Sequence, residues 1–154
     1  MARLTLEQAI RNAIEVEKSA ARFYRLLGAS TGDAEARKFL ERMVKEEEAH
    51  AKAIEDMGRK LTSGEIPGQA DDNMECVETM PDWAYTDDIS FDQAIEIALD
   101  AENHAALYYS AIADGFQGKA AELGKVAEFF GDLAKTEEQH VKNLEGMIEK
   151  KRGR

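Results

Sequence analysis

The stretch that decides the fold is KFLERMVKEEEAHAKAIEDM, Lys38–Met57. It holds no Gly and no Pro, and its apolar residues fall at steps of three and four: Leu40, Met43, then Ile54 and Met57. That is the spacing of one face of an α-helix. The two positions missing from the middle of the seam are Glu47 and His50. A carboxylate and an imidazole therefore stand where the pattern asks for core residues. One Glu-x-x-His carries little information, because helices are rich in Glu. The chain writes it twice. A second seam runs Val126, Phe130, Leu133, then Leu144, Met147, and Glu137 and His140 fill its gap.

Two more helices lie upstream of these motifs. The first is expected over residues 6–27, with Thr5 and Gln8 forming a capping box and Gly28 as the stop. Its seam is Ile10, Ala13, Glu17, Ala20, Tyr24, Leu27. Gly32-Asp33 then opens the helix of the first motif, expected over 33–58 and ending at Gly58. The third helix is expected over 91–114, capped by Ser90 with Gln93; its seam is Ile95, Ala98, Glu102, Ala105, Tyr109, Ile112. The fourth is expected over 119–149, with Lys150-Lys151-Arg152 as a fraying basic end suited to a helix C-terminus. Between the pairs, residues 60–89 hold both prolines, Pro67 and Pro81, and read as a long crossover with one helical turn around Met74–Thr79. A helix of ~26 residues is ~39 Å long. About 12 extended residues would retrace it, so this segment can return the chain along the whole bundle.

The two pairs are copies. A shift of 85 aligns Gln8/Gln93, Ile10/Ile95, Ala13/Ala98, Glu17/Glu102, Ala20/Ala105 and Tyr24/Tyr109. A shift of 90 aligns Glu47/Glu137, Glu48/Glu138, His50/His140, Lys52/Lys142, Glu55/Glu145 and Met57/Met147. The expectation is one all-α domain, residues 1–154: an antiparallel four-helix bundle made of two repeated hairpins about a pseudo-twofold axis. What one half aims at the centre, the other half aims there too.

Composition narrows the function. A formal charge of −11 would be repelled by nucleic acid and by anionic membranes. One cysteine, Cys76, makes no internal disulfide and no CxxC site. No run approaches ~20 apolar residues, and the N-terminus has no apolar segment of a signal peptide. The expected address is the cytoplasm.

Glu17, Glu47, His50, Glu102, Glu137 and His140 thus converge at mid-height. Four ionised carboxylates in one core would each cost several kcal/mol to desolvate and would repel one another. The seams carry no Lys or Arg to neutralise them. Two divalent cations would balance the four charges. Glu-x-x-His places an oxygen and a nitrogen one turn apart on one face, as a shared metal needs. Mixed carboxylate and imidazole donors suit iron or manganese, with zinc also compatible.

A Glu from each of two helices and a Glu-x-x-His from each of the other two is the ligand pattern of ferritin-like di-metal bundles. The chain resembles the ferritin-like superfamily and, within it, the rubrerythrin type, over all four helices. The resemblance implies two iron ions, with Glu17 and Glu102 as terminal ligands, Glu47 and Glu137 as bridges, and His50 and His140 binding one metal each. It also implies that Tyr24 and Tyr109 hydrogen-bond ligand carboxylates. Two departures stand out. Ala105 takes the place where rubrerythrins usually carry an additional Glu, and this sequence, with its one Cys, cannot supply a rubredoxin site.

The implied activity is that of an oxidoreductase acting on peroxide, O₂ or Fe²⁺, served by a separate electron-donor protein or by Fe²⁺ itself; the long crossover and the lack of a clear fifth helix favour a homodimer. An iron storage or carrier protein assembled as a cage is the alternative, as is a bundle whose metals only staple the helices. Among neighbouring residues, Glu46, Glu48 and Glu138 are expected to form solvated faces, one of them serving at most as a base behind the ligands. His104 is expected at the surface. Lys52–Glu55 and Lys142–Glu145 are expected to pair along their helices, and Trp83 and Tyr85 to anchor the crossover.

Overall fold

The structure, a computed structural model, describes residues 2–63, 73–76, 81–116 and 124–152. Its elements in order are β1 (Ala2–Thr5), α1 (Leu6–Ser30), α2 (Ala34–Thr62), β2 (Asn73–Cys76), α3 (Phe91–Phe116) and α4 (Gly124–Arg152). The four helices form two hairpins, α1 with α2 and α3 with α4.

Both expected capping boxes form. Thr5 Oγ1 accepts from the Gln8 amide at 3.1 Å while Gln8 Oε1 accepts from the Thr5 amide at 2.9 Å. Ser90 and Gln93 repeat the arrangement at 3.1 and 3.0 Å. Asp33 caps α2 by accepting from the Glu35 amide at 3.1 Å.

The helices outrun their expected ends. α1 passes through Gly28 to Ser30, and α2 passes through Gly58 to Thr62. Gly58 is a packing residue rather than a stop: a Cβ there would lie 3.2 Å from Ile10 Cγ2, so its absence lets α1 and α2 approach. α3 runs two residues past 114, and α4 continues through the basic end to Arg152. The expected start of the fourth helix, 119–123, lies outside the described residues.

The connection differs from its expected form. Instead of a helical turn at Met74, Asn73–Cys76 is extended and pairs antiparallel with Ala2–Thr5, Ala2 opposite Cys76 and Thr5 opposite Asn73. The rest of the expected turn, 77–79, lies outside the described residues. Further on, Trp83 and Tyr85 pack on α1, as anticipated. Their rings lie 5.4 and 5.7 Å from Phe23, Trp83 is 5.3 Å from Tyr24, and Tyr85 Oη donates to Ser30 Oγ at 3.2 Å.

Helix directions follow from the core. One apolar cluster joins Leu6–Val16 of α1, Ile54 of α2, Ala105–Phe116 of α3 and Val126–Ala134 of α4. The other joins Ala20–Leu27, Phe39–Met43, Ala94–Ala98 and Leu144. Early α1 meets late α2, late α3 and early α4. Each hairpin is therefore antiparallel, and α2 runs parallel to α3, which is why the long crossover is needed. The two clusters occupy opposite ends of the bundle. Between them lies the layer that contains Glu17, Glu47, His50, Glu102, Glu137 and His140.

Candidate metal centre

The seam gaps converge. Glu17, Glu47 and Glu102 are 0% exposed, and Glu137 and His140 are 1% exposed. His50 is half-buried, its side chain 19% exposed. The two imidazoles stack with centroids 5.5 Å apart. His50 Nδ1 lies 3.8 Å from Glu17 Oε1 and 3.5 Å from Glu137 Oε1. His140 Nδ1 lies 2.7 Å from Glu47 Oε1, 3.5 Å from Glu102 Oε1 and 3.6 Å from Glu137 Oε2.

These side chains form two overlapping groups: Glu17, Glu47, His50 and Glu137, and Glu47, Glu102, Glu137 and His140. Within each group one donor atom per residue lies within 4.8 Å of all the others. Glu47 and Glu137 belong to both. Each group could hold one ion, with the two shared carboxylates between them.

Tyr24 and Tyr109 cross over between hairpins. Tyr24 Oη, from α1, donates to Glu102 Oε1 on α3 at 2.6 Å; Tyr109 Oη, from α3, donates to Glu17 Oε1 on α1 at 3.1 Å and also lies 3.4 Å from the Ala13 carbonyl. Burial, reinforced by the carboxylate each one meets first (Glu102 for Tyr24, Glu17 for Tyr109), pushes both phenols well above their ordinary range, so they remain donors.

Metal-free, the layer can lower its charge only by holding protons. Burial and then the charges of Glu137, Glu17 and Glu102 push Glu47 well above the carboxylate range. Burial and the charge of Glu137 do the same to Glu102. Burial and the charge of Glu17 raise Glu137. Glu17 is the exception: burial pushes it up, but its contacts with Glu47 and His50 outweigh that and hold it below its ordinary value. For His140, burial opposes the charged form, yet Glu102, Glu137 and Glu47 together hold its pKa far above the imidazole range. The chain thus gathers protons where cations would sit.

The donor chemistry fits a metal pair. Glu17 Oε2, Glu102 Oε2, Glu137 Oε1, both oxygens of Glu47 and Nδ1 of both histidines are buried without an aligned hydrogen bond among the described residues. Buried polar atoms normally find partners. So many such donors gathered around one point suit a pair of cations.

The surroundings separate the neighbouring acids. Glu48 is exposed and pairs with Arg25 of α1, and Glu138 is also exposed. Glu46 departs from the solvated reading. It is half-exposed, but its Oε2 lies 2.9 Å from His140 Nε2, the nitrogen that points away from the carboxylates. The expected Lys52–Glu55 pairing is replaced by Lys18 Nζ to Glu55 Oε1 at 3.2 Å, which ties α2 to α1. His104 is a surface residue beside Asp100 at 3.5 Å.

Four helices with a carboxylate–histidine layer at mid-height define a four-helix bundle of the ferritin-like type. Within that type, the Rubrerythrin family profile matches residues 8–115. The chain belongs to the rubrerythrin family. Comparison with curated proteins and with solved structures returns no match. No helix among the described residues is long and apolar enough to cross a membrane.

Proposed function

We propose that this protein is a di-iron carboxylate oxidoreductase that reduces peroxide or O₂, or oxidises Fe²⁺, at the Glu17, Glu47, His50, Glu102, Glu137, His140 centre. The observation that carries this reading is the pair of overlapping donor groups sharing Glu47 and Glu137. Family membership supports it. When bound, two Fe²⁺ ions would supply two electrons, one from each, to a small oxidant.

The protein's own part is to hold and to exclude. Glu17 and Glu102 would each serve one ion, His50 and His140 likewise, and Glu47 and Glu137 would serve both. Tyr24 and Tyr109 each donate a hydrogen bond to one oxygen of Glu102 and Glu17, which fixes where those two carboxylates stand. The apolar clusters above and below keep bulk water out, so charge interactions inside are strong. Ala105 is 0% exposed and offers no donor atom, so that position adds no carboxylate to the six. Electrons for repeated turnover would come from a separate donor protein or from Fe²⁺, and the working unit in this proposal is a homodimer.

The test is anaerobic loading with Fe²⁺ followed by one equivalent of H₂O₂. The balance is H₂O₂ + 2 Fe²⁺ + 2 H⁺ → 2 Fe³⁺ + 2 H₂O. Two Fe²⁺ per chain should be oxidised per peroxide, faster than free Fe²⁺, with near-ultraviolet ferric absorption. Oxidation at the rate of free Fe²⁺ would reject the activity.

A further inference from the structure

The repeat that builds the centre breaks at a position that touches it. The shift of 90 that equates His50 with His140 equates Glu46 with Thr136. Glu46 meets the outer nitrogen of His140 at 2.9 Å. Thr136 turns away: its hydroxyl donates to the Asp132 carbonyl of its own helix at 3.0 Å. Among the described residues His50 has no carboxylate on its outer nitrogen, and its side chain is 19% exposed against 2% for His140. The tyrosines lean the same way. Tyr24 holds Glu102 at 2.6 Å, whereas Tyr109 holds Glu17 at 3.1 Å while also lying near the Ala13 carbonyl.

A metal-bound imidazole is neutral and presents an N–H on its outer side. A carboxylate there fixes the tautomer, locks the ring and strengthens the donor; loss of such a partner typically lowers metal affinity 10–100-fold. With a metal bound, Glu46 would give His140 this support, keeping the proton on Nε2 and leaving Nδ1 free for the ion.

We propose that the two metal positions are held unequally, and that Glu46 is the positioning residue that makes them so. The ion served by Glu102 and His140 is the retained one. The ion served by Glu17 and His50 is the exchangeable one, on the more open side of the centre. The inference rests on the two-ion reading above.

The experiment is release of Fe²⁺ from the anaerobically loaded full chain to a coloured chelator, after elemental analysis of the loaded protein. Wild type should hold two ions per chain and release them in two phases of one ion each. Glu46→Ala should speed the slow phase about 10–100-fold and leave the fast phase unchanged. Glu46→Gln, whose amide oxygen still accepts from Nε2, should restore much of the difference. Thr136→Glu should slow the fast phase. Thermal melting of the metal-free variants checks that each is folded, and Glu46, being half-exposed, should shift it little. Fewer than two ions bound would overturn the two-ion reading itself. Two ions released in a single phase, or a slow phase indifferent to Glu46→Ala, would overturn the inequality alone.

Discussion

The ends of the bundle and its middle are built on opposite rules. At the ends, Phe116, Ile112 and Phe130, and Leu40, Ile95 and Leu27, fill space without polar atoms. In the middle the same four helices bury four carboxylates and the His140 imidazole, with His50 half-buried beside them, and these groups satisfy few hydrogen bonds. The ends stabilise the fold whatever is bound. The middle is a burden on the metal-free fold and an asset only around cations. What differs is the sign of the effect expected when a side chain is removed.

The largest consequence concerns the shared carboxylates. Glu47→Leu should weaken metal binding by more than the ~100-fold typical of a supporting residue, because both groups lose a donor. The metal-free protein should melt no lower, and by up to about 4 kcal/mol more stably, since an apolar side chain replaces a buried acid. Calorimetry with and without metal checks both signs. At the ends, Leu40→Ala should cost about 2–5 kcal/mol in metal-free and loaded protein alike. An end residue whose cost vanished on loading, or a Glu47→Leu protein that melted lower without metal, would erase the contrast.

Acidity sharpens it. Glu47, Glu102 and Glu137 have raised pKa values in the folded state, as has His140. A raised folded value means that the native state binds more protons than the unfolded chain. Stability from these groups is therefore full below their unfolded values, 4.5 for Glu and 6.5 for His, and falls as pH rises through the folded ones. Glu17, with its lowered value, acts in the opposite sense, but only below its unfolded value of 4.5. Metal-free protein should lose melting temperature from pH 5 to pH 8. Bound cations replace the protons, so the gap between loaded and metal-free protein should widen over that range. Melts at several pH values, with and without Fe²⁺ under anaerobic conditions, measure it; a constant gap would mean that the buried acids are not the groups displaced.

Smaller again is the effect of Tyr24→Phe, which removes the hydroxyl from Glu102 and should weaken metal retention about 10-fold while leaving Trp83 its aromatic neighbour. Smallest is Lys18→Ala. Its pair with Glu55 is exposed and contributes about 0–1 kcal/mol.

Much of this was legible in the sequence because it is written as local periodicity. An acid or imidazole in the gap of an apolar seam marks an inward side chain, and the repeat fixes which gaps face one another. The helix caps were legible for the same reason, since Thr5/Gln8 and Ser90/Gln93 act over three residues. Features that depend on contacts distant in the chain were not. The pairing of Ala2–Thr5 with Asn73–Cys76 joins segments about seventy residues apart, and nothing in either four-residue stretch announces its partner. Gly58 reads as a helix stop until Ile10 is seen against it. Glu46 sits in a run of three glutamates, and helical spacing alone does not say which one leans toward α4. The signal that singles it out is a mismatch: the copy of the motif places Thr136 there.

The decisive measurement is anomalous X-ray diffraction, above and below the iron absorption edge, from crystals loaded with Fe²⁺ without oxygen. Two iron peaks should appear inside the bundle, each beside one imidazole and both within reach of Glu47 and Glu137. A buried layer empty of iron, with ions found only among exposed acids such as Glu48 and Glu138, would contradict the metal-centre reading outright.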